Sequence, residues 1–253
     1  DENSGVAVAD QSNGEFLILT TSNGGSTWTR TPAANIPTPL QGEAAGVGDA
    51  GGTTLAVYGT SHAWFGTSHY TENGFLTRVY KTTDGAQNWT AVNTPLLSVG
   101  DFRGVTTIVF KDEMTGFVGS AGGYTLGDDL SNTLAKTTDG GETWQIVTSF
   151  PAMNPATLAF VPDANGEKIF ASALQGACYS LDGGESWTKL ASTEPSYAMC
   201  FTDIENGWAM MRGGHLAKLV FDLSPTSVTQ HQNTMLPETV TLSQNYPNPF
   251  NPE

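Results

Sequence analysis

Lys136 to Trp144 reads KTTDGGETW, and its core returns three more times: TSNGGSTW at Thr21 to Trp28, TTDGAQNW at Thr82 to Trp89, and SLDGGESW at Ser180 to Trp187. Each copy runs hydroxyl residue, any residue, Asp or Asn, Gly, usually Gly, any residue, usually Thr or Ser, then Trp. Such a string closes a hairpin. The Asp or Asn side chain accepts hydrogen bonds from backbone N–H groups two or three residues on, and the glycines supply the positive φ of a tight reversal. The Trp then anchors the turn, burying roughly 150 to 250 Å² of aromatic surface. A residue repeated from unit to unit cannot mark one unique site. Asn23, Asp84, Asp139 and Asp182 therefore read as turn formers, with Trp28, Trp89, Trp144 and Trp187 as their anchors.

Successive hairpin tryptophans stand 61, 55 and 43 residues apart, near the ~40 to 50 residues of a four-stranded blade. The 29 glycines and 14% charged residues suit many short strands joined by tight turns. No long stretch keeps a helical apolar period, and no apolar run approaches the ~18 residues that span a membrane as a helix. The repeat resembles the Asp-box (BNR) repeat of sialidases, xyloglucan hydrolases, sortilin-type receptors and photosystem assembly factors. That resemblance implies an all-β fold, a β-propeller of four-stranded antiparallel blades, and leaves the activity open.

Five units are visible. The first has strands expected at Ser4 to Asp10, Gly14 to Thr21 and Ser26 to Thr31, and lacks an opening strand. Either upstream sequence has been removed or the C-terminus returns to supply it. After a long connection, Pro32 to Gly52, the second unit uses Thr53 to Gly59, His62 to Ser68, Phe75 to Thr82 and Asn88 to Val92. The third uses Thr106 to Phe110, Gly116 to Ala121, Asn132 to Thr137 and Thr143 to Val147; the fourth uses Thr157 to Val161, Lys168 to Ala173, Ala177 to Ser180 and Ser186 to Leu190. The fifth, Tyr197 to Thr202, Trp208 to Met211 and Leu216 to Phe221, has no Trp hairpin, and its outer turn near Leu223 to Thr229 has drifted. Asp1, Asp112 and Asp203 each precede a glycine by four residues and read as Asx-type turn openers.

A net charge of −15 with ten Lys and Arg opposes nucleic-acid or anionic-membrane partners. The acidity leaves room for calcium, whose ligands are oxygens. Cys178 and Cys200 sit in no metal spacing and read as buried free thiols more than as a bridge. His62, His69, His215 and His231 are scattered, so no zinc set is expected.

The composition changes near residue 234, dividing the chain into a propeller at 1–233 and a linker with a truncated tail domain at 234–253. LPETVTLSQNYPNPFNP, Leu236 to Pro252, resembles the opening of the C-terminal sorting domain carried by cargo of the type IX secretion system. The resemblance implies engagement of that machinery and a protein released from the cell or held at its outer surface. By local chemistry, Pro247, Pro249 and Pro252 favour extended, polyproline-like backbone.

In such a blade, first-to-second-strand turns and Trp hairpins lie at one end, and second-to-third-strand turns and blade connections at the other. The second end carries the long variable loops, where binding or catalysis usually resides. Tyr70, Asp101, Arg103, Tyr124, Asp128 and Asp129 are the ligand-binding candidates there, with Trp64 and His69 as further aromatic platforms. Asp128 and Asp129 also suit a solvated or calcium-binding loop. Asp49 and Asp101 are weak catalytic candidates, since a glycosidase needs two carboxyl groups about 5 to 9.5 Å apart. The arginine clamp of sialidases is not matched, because Arg30, Arg78, Arg103 and Arg212 are the only arginines and Arg30 falls on an outer strand. These residues favour a non-catalytic module for carbohydrate or protein over a glycoside hydrolase.

Overall fold

A computed structural model of the chain describes residues 2–45, 53–71, 74–96, 104–120, 130–162, 165–173, 175–190 and 194–219, excluding the side chains at 69–71 and 74–75. The regular elements among these residues are β-strands and one 3-10 turn, Ala33–Asn35. Residues 1–221 form one unit; 222–253 form another, lying with Val220 and Phe221 outside the description.

Five antiparallel sheets follow each other in chain order. Sheet one holds β1 (Gly5–Ser12), β2 (Glu15–Thr21) and β3 (Thr29–Arg30). Sheet two holds β4 (Glu43–Ala45), β5 (Leu55–Tyr58), β6 (His62–Thr71), β7 (Gly74–Thr82) and β8 (Thr90–Asn93). Sheet three runs β9 (Val105–Phe110), β10 (Gly116–Ser120), β11 (Leu134–Thr137), β12 (Gln145–Ile146). Sheet four runs β13 (Pro155–Phe160), β14 (Ile169–Ala173), β15 (Gly176–Ser180), β16 (Thr188–Lys189), and sheet five β17 (Ser196–Phe201), β18 (Gly207–Met211), β19 (Leu216–Leu219).

One register repeats. The hydroxyl residue that opens each Trp hairpin lies opposite the start of the preceding strand: Gly5 with Thr21, Ala63 with Thr82, Gly116 with Thr137 and Ile169 with Ser180. Strand alternation then sends one set of side chains forward to the next sheet and the other back to the previous one. Phe16 and Ile18 of sheet one meet Phe65, Tyr80 and Trp89 of sheet two. Trp64 and Val79 meet Val105, Ile108 and Trp144, and Phe117 and Leu134 meet Leu158, Ile169 and Cys178. Each fully buried side chain of this size contributes roughly 1.5 to 3 kcal/mol. Sheets approach so closely that a Cβ at Gly66 would lie 2.1 Å from Val105 Cγ1.

Three features differ from the expectations above. The connection Pro32 to Gly52 contains β4, which extends sheet two by pairing with β6 at Thr67, Ser68 and His69 while β5 pairs with its other half. Three residues, EAA, carry no alternation to betray a strand. Their pairing is tertiary, held by Gln11 Nε2 on the Glu43 carbonyl and by Ala45 N–H on Asp10 Oδ1 at 3.1 Å. The outer strands β3, β12 and β16 are two residues long, because the residues before them are used in the hairpin. Finally, Cys178 is buried but Cys200 is exposed, and neither is bridged.

Candidate functional site

The Trp hairpins share one bonding scheme. In the third, Asp139 Oδ1 accepts the Thr137 hydroxyl at 2.7 Å and the Thr143 N–H at 2.9 Å, and Oδ2 accepts the Thr143 hydroxyl at 2.6 Å. Asp182 repeats this with Ser180 and Ser186, and Asp84 with Thr82 and Asn88. The N–H acceptor reach is thus four residues in every copy, one or two more than expected, and Asp84 also accepts from Gln87 three residues on. Asn23 uses its amide as donor, from Nδ2 to Thr27 Oγ1. Partial burial pulls the other way at Asp139, yet the Thr143 and Thr137 donors hold it at about 2; the Ser186 and Ser180 donors hold Asp182 at about 2. Asp84 is lowered too, against its partial burial, by Asn88, Thr82 and Gln87.

Each hairpin is also tied to the residues that lead into the second strand of its unit. Gly24, Gly85, Gly140 and Gly183 donate their N–H to the carbonyls of Asn3, Ser61, Met114 and Glu167. Trp89 and Trp144 are buried between sheets, and Trp187 packs edge-on against Phe150. Trp28 differs. It is 45% exposed, because no described sheet precedes its own.

At the opposite end, the binding candidates fall largely outside the described residues: Asp49, Asp101, Arg103, Tyr124, Asp128 and Asp129 all do. Tyr70 is placed by its backbone, which pairs with Phe75 near the end of β6, and its side chain is not described; the same holds for His69. Trp64 is fully buried and stacks on Phe110, so it packs between sheets and presents no platform. Of the arginines, Arg30 pairs with Glu15, Arg78 is held by Glu43, and Arg212 is exposed beside the β18–β19 turn.

A cluster the sequence reading missed forms here. Glu43 is fully buried; its Oε1 accepts the Thr67 hydroxyl at 2.6 Å, and its Oε2 accepts Arg78 Nη1 at 2.8 Å, Leu40 N–H at 2.8 Å and Tyr80 OH at 3.1 Å. Arg78 also lies over the Tyr80 ring, 5.0 Å from its centroid. Burial, and then the charge of Glu43, push the Tyr80 phenol well above its usual range. Every oxygen of Glu43 is satisfied and sealed from solvent, so this group tethers the loop before β4 to sheet two. The available signal was Arg78 two residues before Tyr80 on one strand face: an inward cation demands an anion.

The hairpin end offers a concavity. Between sheets one and two lies a cleft of about 560 Å³, lined among others by Val6, Thr27, Val57, Ser61, His62 and Gly85. Its cause is local. Where later sheet pairs stack Trp64 on Phe110 and set Phe117 against Phe160 and Phe170 against Phe201 at a tilt, this pair has Val6 and Val57. Among the described residues no group of three or more His, Cys, Asp or Glu is placed to hold a metal ion, and no helix is long and apolar enough to cross a membrane.

No family model matches the chain, and no curated protein does. Among solved structures, one titled YCF48 bound to D1 peptide is 18% identical with a TM-score of 0.50, covering 86% of this chain and 60% of that one. The GH74 xyloglucanase from Xanthomonas campestris is 15% identical with a TM-score of 0.54, covering 85% of this chain and 36% of that one. The chain thus spans less than two thirds of either. Both are β-propellers, and the all-β chain with its successive antiparallel sheets shares that fold.

Proposed function

We propose that this chain is a secreted or surface-held Asp-box β-propeller that recognises a carbohydrate or a protein without chemistry, through the loops at the second-to-third-strand end. The observation that carries this reading is the use made of its carboxylates. Asp84, Asp139 and Asp182 are spent closing turns and held ionised, and Glu43 is sealed against Arg78. Asp139 and Asp182, held near 2 by their hairpin donors, have no proton to give at neutral pH. The solved structure of YCF48 bound to D1 peptide supports the reading, as a propeller with a peptide partner. The secretion-tail resemblance at Leu236 to Pro252 supports export, and Asp128 with Asp129 is the place for a calcium ion if the ligand needs one.

The xyloglucanase likeness favours a second reading, a glycoside hydrolase using Asp49 and Asp101. Incubation with a panel of polysaccharides and peptides separates the two. Retention on a ligand with no new reducing ends supports recognition. Reducing ends that vanish in Asp49→Asn or Asp101→Asn would make the protein a hydrolase instead.

A further inference from the structure

Each sheet grips the next by a recurring set of contacts. An aromatic residue on the second strand meets a phenylalanine ending the next sheet's first strand: Trp64 with Phe110, Phe117 with Phe160, Phe170 with Phe201. Directly opposite the first two aromatics stand Lys81 and Lys136. Lys81 reaches Glu142 of the next hairpin, and Lys136 reaches Glu185 at 2.8 Å. Both glutamates stand two residues before a hairpin Trp. Two residues beyond each aromatic comes a small one, Gly66, Gly119 or Ser172; a Cβ at Gly119 would fall 2.7 Å from Pro155 Cγ.

Sheet five carries the gripping half of this set and, among the described residues, holds nothing with it. Trp208 occupies the aromatic position with Lys218 directly opposite, as Trp64 has Lys81. The same face presents Ala198, Cys200, Met210 and Leu216, all exposed. Trp208 is 40% exposed, Met210 and Leu216 52% each, and Lys218 has no ion-pair partner among the described residues. A contiguous apolar face of this kind on a folded sheet marks an interaction surface.

We infer that this face of sheet five docks a further antiparallel blade of the same Trp-ended kind, carrying a carboxylate two residues before its Trp to receive Lys218. Its first strand ends in an aromatic residue to meet Trp208. Where Val105 and Pro155 press on glycine, it has a smaller residue, because Met210 fills the space that Gly66 and Gly119 leave open. Sheet one of this chain is a poor match, since Ser26 stands where the acid is required. The inference concerns assembly of the fold and stands whichever ligand the loops take.

Cys200 lies on the face and reports its occupancy, while Cys178 is buried with its thiol pushed up to about 12 by that burial. The test extends the chain ahead of Asp1, through a flexible Gly–Ser linker, with a second copy of residues 150–190 carrying Pro155→Ala. That copy is the blade Lys136 already grips, and the tether supplies a roughly millimolar effective concentration. Iodoacetamide is expected to alkylate Cys200 at least tenfold more slowly than in the unextended chain. Lys218→Glu restores fast labelling, and Glu185→Lys in the added copy returns the protection. Unchanged labelling, or trypsin removing the added copy while the rest stays intact, overturns the inference. Protection in the unextended chain that grows with its own concentration also overturns it, making a second copy the occupant.

Discussion

The indole N–H of Trp64, in sheet two, donates a 2.9 Å hydrogen bond to the carbonyl of Gly140 at the hairpin of sheet three. The same ring stacks on Phe110 with centroids 3.6 Å apart. One side chain thus ties a repeat unit to its neighbour by both packing and polarity. Trp64→Phe keeps most of the packing and leaves the Gly140 carbonyl unpaired, so about 1 to 3 kcal/mol is expected. Trp64→Ala adds a cavity and is expected to cost about 3 to 5 kcal/mol. Urea unfolding followed by circular dichroism ranks the two, and equal losses would contradict the division.

Glu43 and Arg78 form the only buried ion pair among the described residues with a carboxylate wholly removed from water. Glu43→Ala strands the guanidinium and is expected to lose about 3 to 5 kcal/mol. Glu43→Leu combined with Arg78→Met is expected to lose much less, since both charges leave together. Chemical denaturation of the single and double variants measures the difference. A double variant as unstable as Glu43→Ala would mean the polar geometry itself holds β4 in place.

Asp139 and Asp182 titrate near 2 in the folded chain, below the carboxylate value of about 4 in an unfolded one. Their stabilisation is therefore complete above about pH 4 and disappears as the pH falls through 2. Asp139→Asn with Asp182→Asn is expected to flatten the fall in melting temperature between pH 4 and 2, while lowering it at pH 7. Asn23 already fills this role uncharged in the first hairpin, so Asn23→Ala should leave the acid limb as steep as before. Melting curves across pH 2 to 7 decide.

Gly184 has φ +89°, and a Cβ there would lie 2.6 Å from Phe117 Cζ. Gly184→Ala combines backbone strain with a clash against the previous sheet and is expected to cost about 2 to 4 kcal/mol. Ala86 sits at the equivalent place in the second hairpin with φ +63°. Ala86→Gly is expected to change stability by less than about 1 kcal/mol, because relief of the left-handed strain offsets the loss of a buried methyl. Thermal unfolding of both variants checks the contrast.

One thiol per native chain should react with iodoacetamide, at Cys200, and two in urea. Burial, which raises the Cys178 thiol to about 12, protects the other. Mass spectrometry after brief labelling reads the stoichiometry and the position.

The sequence by itself determined the units. Hydroxyl, Asp or Asn, Gly and Trp at fixed spacing specify a turn through contacts at most four residues long, and strand alternation around that turn is equally local. Tertiary structure alone decided what lies between the units. Glu43 became a buried ligand of Arg78 because β4 crosses 35 residues of sequence to lie beside sheet two, a placement that no local propensity of EAA encodes. The forward faces show the same division. Lys81, Lys136 and Lys218 occupy one repeating position, yet the first two are paired with the next sheet's hairpin and the third has no ion-pair partner among the described residues, a difference that their common local pattern does not encode. Short-range hydrogen bonds are written in residue order; long-range charge and packing depend on which surfaces the chain brings together.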